Sequence, residues 1–394
     1  MNNSRIPHEN KAIIVLGMHR SGTSAIAAGL EAMGFALGKK YVTIQYDNQK
    51  GYFENEDVVS FDDHLLQFLN SRWDNPFFDG RRALADCEEH ELAPWYEEAD
   101  AIIRENFSGY SRWAVKDPRM CQLLSFWTSV LERNGYLGTD TYYIHVLRHP
   151  LEVAHSQLQR HRKNPGFHYI GGDLRQTVLL WLSSHLQALR EVNSDNNIAI
   201  LFTDLLEEPA LQMERIIRFL DIDISRDSLK EYLDDFLERS LKHHTLDESE
   251  NDQLKKKYPE AVYVYDALSR LSKENSFDRD DIQNILKNID SYAHALDLFH
   301  PMYPLLSVAW YDWQDMIERH REVMTSYTWR MANKLRNSLI GIPGMKTLFG
   351  VLKKIYDFFS GRAMEENGCL VVHLIHTQKT ADDERSITRR QTSV

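Results

Sequence analysis

The sequence is short of several things, and each shortage removes a class of protein. It has three cysteines, Cys87, Cys121 and Cys369, in 394 residues. An odd number at wide spacing supports neither a disulfide framework nor a zinc ribbon, and it fits a reducing compartment. There is no apolar run of about 18 residues, the length a membrane-spanning helix needs. The segment Met1 to Lys11 is polar and lacks an apolar signal core, so a cytoplasmic location is expected rather than a secreted or Golgi-anchored one. Cations are in deficit: 46 Lys and Arg face 58 Asp and Glu, a formal net charge of −12. General nucleic-acid binders are usually basic, so no nucleic-acid partner is expected. No internal repeat is evident. With 43% hydrophobic and 26% charged residues the chain has an ordinary globular composition.

What is present is an alternation of short apolar runs and amphipathic stretches. Ala12 to Leu16, Tyr142 to Leu147 and Ile198 to Phe202 read as buried parallel strands, and Trp113 to Val115 as a shorter one ending at Lys116. Ala25 to Met33, Glu88 to Asn106, Leu123 to Arg133, Leu151 to Arg162, Leu174 to Val192 and Glu208 to Leu220 read as helices. Gly34 stops the first, and Pro150 sits in the opening turn of the fourth. This predicts an α/β fold with a central parallel sheet flanked by helices. Residues 226 to 328 have helical periodicity, except that His243 to Lys257 reads as a polar loop. The expected organisation is a disordered N-terminus over 1–11, an α/β domain over 12–325 that is mainly helical after 226, a basic amphipathic tail over 326–364 and a poorly ordered C-terminus over 365–394.

After the first strand comes Gly17-Met18-His19-Arg20-Ser21-Gly22-Thr23-Ser24. Such a turn exposes backbone N–H groups at a helix N-terminus, where they can cradle a phosphate. The ATP/GTP loop reads G-x-x-x-x-G-K-[ST], and here Thr23 stands where that pattern needs lysine. The cation comes earlier, at Arg20. A second candidate anion site is Arg148, at the end of a strand, with Ser156 eight residues on in the following helix. A guanidinium and a hydroxyl converging there can hold a phosphate. The plainer alternatives are a connecting turn for the loop and an ion-paired strand-end arginine for Arg148.

Taken in this order, the two segments resemble the sulfotransferases that use 3′-phosphoadenosine 5′-phosphosulfate (PAPS). That family has a Lys or Arg directly before Ser-Gly-Thr in its 5′-phosphosulfate loop, and an Arg and a Ser eight residues apart that bind the 3′-phosphate. The resemblance covers roughly residues 12 to 222. It implies a sheet of P-loop type, with Arg20, Ser21, Gly22, Thr23 and Ser24 at the phosphosulfate and Arg148 and Ser156 at the 3′-phosphate. The implied donor is PAPS, with no metal. The implied acceptor is a hydroxyl on a carbohydrate, lipid-linked glycan or small metabolite. Leu201-Phe202-Thr203-Asp204-Leu205 is similar to the family's Tyr-Glu-Asp-Leu, from which Phe202 and Thr203 depart.

Sulfuryl transfer needs cations at the leaving oxygen and a base at the acceptor. Arg20 is the first electrostatic candidate. Lys116, in Lys116-Asp117-Pro118-Arg119, is the second, by similarity to a Lys-Asp-Pro of the protein-tyrosine branch; a strand-end salt bridge is its alternative. Gly51-Tyr52-Phe53-Glu54-Asn55 is similar to an element of bacterial sulfotransferase-like proteins, and resemblance to the glutamate base of the protein-tyrosine branch implies Glu54 as the candidate base, with Asp57 and His64 as rivals. Adjacent His243 and His244 point different ways and belong to a polar loop rather than a metal site.

The segment Trp329 to Arg362 carries +6, leaving −18 on the rest of the chain. Met345 to Phe359 can form a basic amphipathic helix suited to an anionic membrane surface, or one that packs on its own domain or a partner. Ser326-Tyr327-Thr328-Trp329-Arg330 resembles the Ser-x-x-Trp-Arg ends of bacterial surface-polysaccharide enzymes, which points to the inner membrane face. Two other classes compete: a P-loop kinase or NTPase with an atypical loop, and a non-catalytic nucleotide-binding scaffold.

Overall fold

The apolar run after Asn10 forms strand β1 (Lys11–Leu16), and its residues alternate between two separate cores. Ala12, Ile14 and Leu16 enter one, Ile13 and Val15 the other, and all five are at most 1% exposed. A strand buried on both faces must be apolar without interruption, which is why the run is legible in the sequence. Strands β2 (Arg112–Lys116), β3 (Thr141–Leu147) and β4 (Asn197–Leu201) join it in the order β2-β1-β3-β4, every pairing parallel. The computed structural model describes residues 10–42, 51–163, 173–192, 195–224, 229–230, 232–233 and 248–289, and the single positions 316, 326, 331 and 334.

Helices cover both faces of the sheet. Helices α1 (Thr23–Ala32), α8 (Phe202–Glu207) and α9 (Pro209–Leu220) close one core through Ile26, Leu205 and Ile216. Helices α2 (Glu56–Phe68), α4 (Glu89–Phe107), α5 (Met120–Arg133) and α7 (Leu174–Glu191) close the other through Phe61, Ile103, Trp127 and Trp181. The short α3 (Gly80–Ala85), α6 (Pro150–Lys163), α11 (Pro259–Leu271) and α12 (Arg279–Lys287) complete this layer. The chain leaves β1 for β2 on one side, and leaves β3 for β4 on the other. The crevice between the carboxyl ends of β1 and β3 is therefore a topological switch point, where open α/β sheets bind ligands.

Two sequence expectations need correction, and helix α2 had none. Phe202 is not the last residue of a strand; β4 ends at Leu201 and Phe202 opens α8. Helix α2 went unread because its start is polar. Its signal is Asn55, whose side chain accepts the Val58 N–H at 3.1 Å, followed by Glu56 and Asp57 in the first turn. The polar stretch ending at Lys257 is not all loop, since Glu248–Lys257 is helix α10. That helix carries Lys255, Lys256 and Lys257 in its last turn, which suits the helix dipole, and it buries Leu254. His243 and His244 lie outside the described residues.

The chain forms two units, Met1–Asp315 and Met316–Val394. The sheet and all twelve helices named here belong to the first. The second is described only at Met316, Ser326, Met331 and Lys334, so the basic tail and the C-terminal segment otherwise lie outside the described residues. Residues 1–9 do as well.

Candidate active site

The loop after β1 is shaped by backbone that only glycine tolerates well. Gly17 (φ 154°) has the Val146 carbonyl 2.7 Å from where a Cβ would stand. Its N–H donates to the buried Cys121 Sγ at 3.3 Å. Gly22 (φ 99°) lies under the Phe202 ring, 2.2 Å from the position of a Cβ. Gly22 is also the residue before α1, which has no side-chain cap and no acidic residue in its first turn. The partial positive charge of this helix end is therefore not offset locally. Ser21 is fully buried, and its Oγ has no hydrogen-bond partner among the described residues. A buried hydroxyl left this way is costly unless something else bonds it, so an anion at the loop fits it.

The second candidate anion segment meets this loop directly. Arg148, at the end of β3, donates from Nη1 to the Arg20 carbonyl at 3.2 Å. Arg20, with φ 72°, donates from Nε to Ser156 Oγ on α6 at 3.0 Å. Arg148 also pairs through Nε with Glu152 Oε2 at 3.0 Å, and its guanidinium lies 4.9 Å from the centroid of the Phe202 ring. Arg20, Ser21, Gly22, Arg148 and Ser156 thus come together at the switch point. The ion-paired alternative for Arg148 is present in the same geometry, because Glu152 sits one turn away on α6.

Thr23 and Ser24 open α1. Ser24 Oγ donates to the Tyr52 carbonyl at 3.1 Å, and Lys116 Nζ donates to the same carbonyl at 3.3 Å. Lys116 lies 3.5 Å from Ser24 Oγ and makes an ion pair with Glu54 Oε1. Lys116 is 4% and Glu54 5% exposed. Burial pushes the Glu54 carboxyl upward, against the opposing pull of the Lys116 ammonium. The structure therefore brings Lys116, Glu54 and Ser24 together beside the loop. Of the rivals to Glu54, Asp57 is tied to Lys40 and Asn106 at 3.1 and 3.0 Å, and these bonds hold its carboxyl below the usual range despite some burial. His64 is exposed on α2.

A family model described as "Sulfotransferase family" matches residues 12–226, more than half of the chain. The chain belongs to the sulfotransferase family. Solved structures similar to it include the sulfotransferase domain from the curacin biosynthetic pathway, at 18% identity over 71% of this chain and 98% of that one, TM-score 0.36. The sulfotransferase domain of the Synechococcus PCC 7002 olefin synthase is 19% identical, covering 63% and 89%, TM-score 0.30. Sulfotransferase STF1 from Mycobacterium tuberculosis H37Rv is 13% identical, covering 63% and 76%, TM-score 0.35. No curated protein matches the sequence.

Three residues of this sulfotransferase's site are not picked out by the sequence pattern. Glu152 is one, visible only as an acid four residues after Arg148 on a helix. Phe202 is the second; its departure from the family's tyrosine was the signal. The third is Arg119, whose signal was its place in the Lys-Asp-Pro-Arg run. Among the described residues no three His, Cys, Asp or Glu side chains gather as a metal site. No helix among them is long and apolar enough to cross a membrane.

Proposed function

We propose that this protein transfers a sulfuryl group from PAPS to a hydroxyl of a carbohydrate, lipid-linked glycan or small metabolite. The observation that supports the reading is that the loop after β1 and the Arg148–Ser156 segment meet at one crevice, through Arg148 to the Arg20 carbonyl and Arg20 to Ser156. In this reading the Arg20–Ser24 loop holds the 5′-phosphosulfate, with Ser21 Oγ and the α1 N–H groups as donors. Arg148 and Ser156 hold the 3′-phosphate.

PAPS supplies an activated sulfuryl group and a bridging oxygen on which negative charge gathers as the bond to sulfur breaks. Arg20 and Lys116 are the fixed cations for that charge, each worth roughly 10²–10³ in rate. Glu54 takes the proton from the acceptor hydroxyl, a contribution of about 10²–10⁴. Burial makes its carboxylate a better base than one in water. The Glu54–Lys116 pair opens for this step: Glu54 turns to the hydroxyl, and Lys116 stays an ammonium and turns to the leaving oxygen. Residues 12–325 form the transfer domain in this proposal, the reaction is cytoplasmic, and the +6 tail brings the protein to an anionic membrane face.

Calorimetry with 3′-phosphoadenosine 5′-phosphate (PAP), ATP and GTP tests the reading. PAP is expected to bind, and Arg148→Ala to weaken it. Binding of ATP but not PAP would overturn the assignment.

A further inference from the structure

Arg119 lies three residues past Lys116 and is not needed for any step above, yet it pairs with two carboxylates, Asp63 and Asp117. Its Nε and Nη2 donate to the two carboxylate oxygens of Asp63 at 2.6 and 3.1 Å. Its Nη1 donates to Asp117 Oδ1 at 3.0 Å, and its own backbone N–H reaches the same oxygen at 2.9 Å. The side chain is 11% exposed and Asp117 is fully buried. A forked guanidinium held at three points has one geometry, which a lysine cannot copy.

The two carboxylates sit at informative places. Asp117 directly follows Lys116. Asp63 lies on α2, whose N-cap Asn55 directly follows Glu54. Asn55 is fixed in turn, accepting from Val58 N and donating to Asn106 Oδ1 at 2.9 Å. A rigid helix therefore links Asp63 to Glu54, and a rigid strand end links Asp117 to Lys116. Asp62, next to Asp63, is held at Oδ1 by the Trp127 indole N–H at 2.8 Å. Burial, and then the Asp117 charge, push Asp62 well above the usual carboxylate range. Arg119 thus bridges two carboxylates, Asp63 and Asp117.

We propose that Arg119 is a positioning residue: by clamping α2 to the end of β2 it sets Glu54 against Lys116. The functional meaning of that setting rests on the roles proposed above, but the clamp is tested without them.

The readout is the rate at which acetic anhydride acetylates the Lys116 amine in the full-length protein, followed by mass spectrometry, with exposed Lys273 as internal reference. In the parent protein Lys116 is shielded by burial and by Glu54. Glu54→Gln is expected to speed labelling about fivefold or more, and Arg119→Met to do the same, the two effects overlapping rather than multiplying because they remove one arrangement. Arg119→Lys keeps the charge and loses the fork, so labelling stays fast. Asp63→Asn, which cuts only the α2 end, repeats the effect if Arg119→Met does not fold. Parent-like labelling in Arg119→Met or Asp63→Asn, effects that multiply with Glu54→Gln, or full rescue by Arg119→Lys would each overturn the proposal. PAP affinity of the parent and the variants, measured alongside, reports on the donor reading separately.

Discussion

Arg20 Nε donates to Ser156 Oγ over 3.0 Å between residues 136 apart in sequence. The bond ties the loop after β1 to the helix after β3, so the two phosphate sites expected from the sequence share one wall. Arg148 doubles the tie by holding the Arg20 carbonyl. That carbonyl belongs to a non-glycine residue at φ 72°, a conformation that costs energy unless its surroundings hold it. The guanidinium of Arg148 is thus both a candidate ligand group and the brace of the loop.

Arg148→Ala should weaken PAP binding about 10- to 100-fold, the worth of a charge-assisted hydrogen bond or two. Arg148→Lys should recover only part of this, since a point charge cannot serve Glu152 and the Arg20 carbonyl together. Calorimetry on the three proteins gives the ranking. Full affinity in the alanine variant would remove Arg148 from the site.

Gly22→Ala should destabilise the protein sharply. The new methyl would meet the Phe202 ring at 2.2 Å, on a backbone at φ 99°. Overpacking alone costs about 1–3 kcal/mol, with the strained backbone added. Phe202→Ala in the same chain relieves the clash but not the backbone, so the double variant should melt between Gly22→Ala and Phe202→Ala. If Gly22→Ala melts like the parent, the close packing of this ring on the loop is wrong.

Much of this was legible in advance for one physical reason: a strand buried on both faces leaves a continuous apolar signature, and ligand groups of such sheets stand where the strands end. Lys116 and Arg148 could be placed at those ends from sequence. What escaped depends on contacts that local pattern does not carry. Nothing in Gly51 to Asn55 announces that Glu54 meets Lys116, 62 residues away. Phe202 looked like a mere departure, yet its ring fills the space that Gly22 leaves by having no side chain. Helix α10 was hidden by its own polarity, because a helix held by a single buried leucine reads like a solvated loop.

Lys116→Met should cost about 3–5 kcal/mol, because it leaves the Glu54 carboxylate buried without its cation. Lys116→Met with Glu54→Gln removes both charges and should be markedly more stable than the single variant. Chemical denaturation of the three proteins decides it. A double variant no better than Lys116→Met would mean the pair is not the buried ion pair described here. Both variants should still bind PAP if the loop and Arg148 carry the phosphates, and both should lose transfer.

Acidification should destabilise this protein from below about pH 6.5, through two core histidines. Burial pushes His145 down to about 4 despite its bond to Asn197. Burial, and then the proximity of His145, push His185 down to about 3. Between these values and the ordinary 6.5 the unfolded chain binds protons that the folded one refuses. Stability therefore falls with pH across that window, by up to about 1.4 kcal/mol per pH unit for each histidine. Asp62, raised in the fold, acts in the opposite sense and moderates the loss. His185 Nε2 has no hydrogen-bond partner among the described residues, so His185→Leu sacrifices no bond to them and should flatten the profile. Melting temperatures at pH 7.5 and pH 5.0 test this: the parent should lose more than the variant on acidification, and equal losses would exclude His185 as a source of the acid sensitivity.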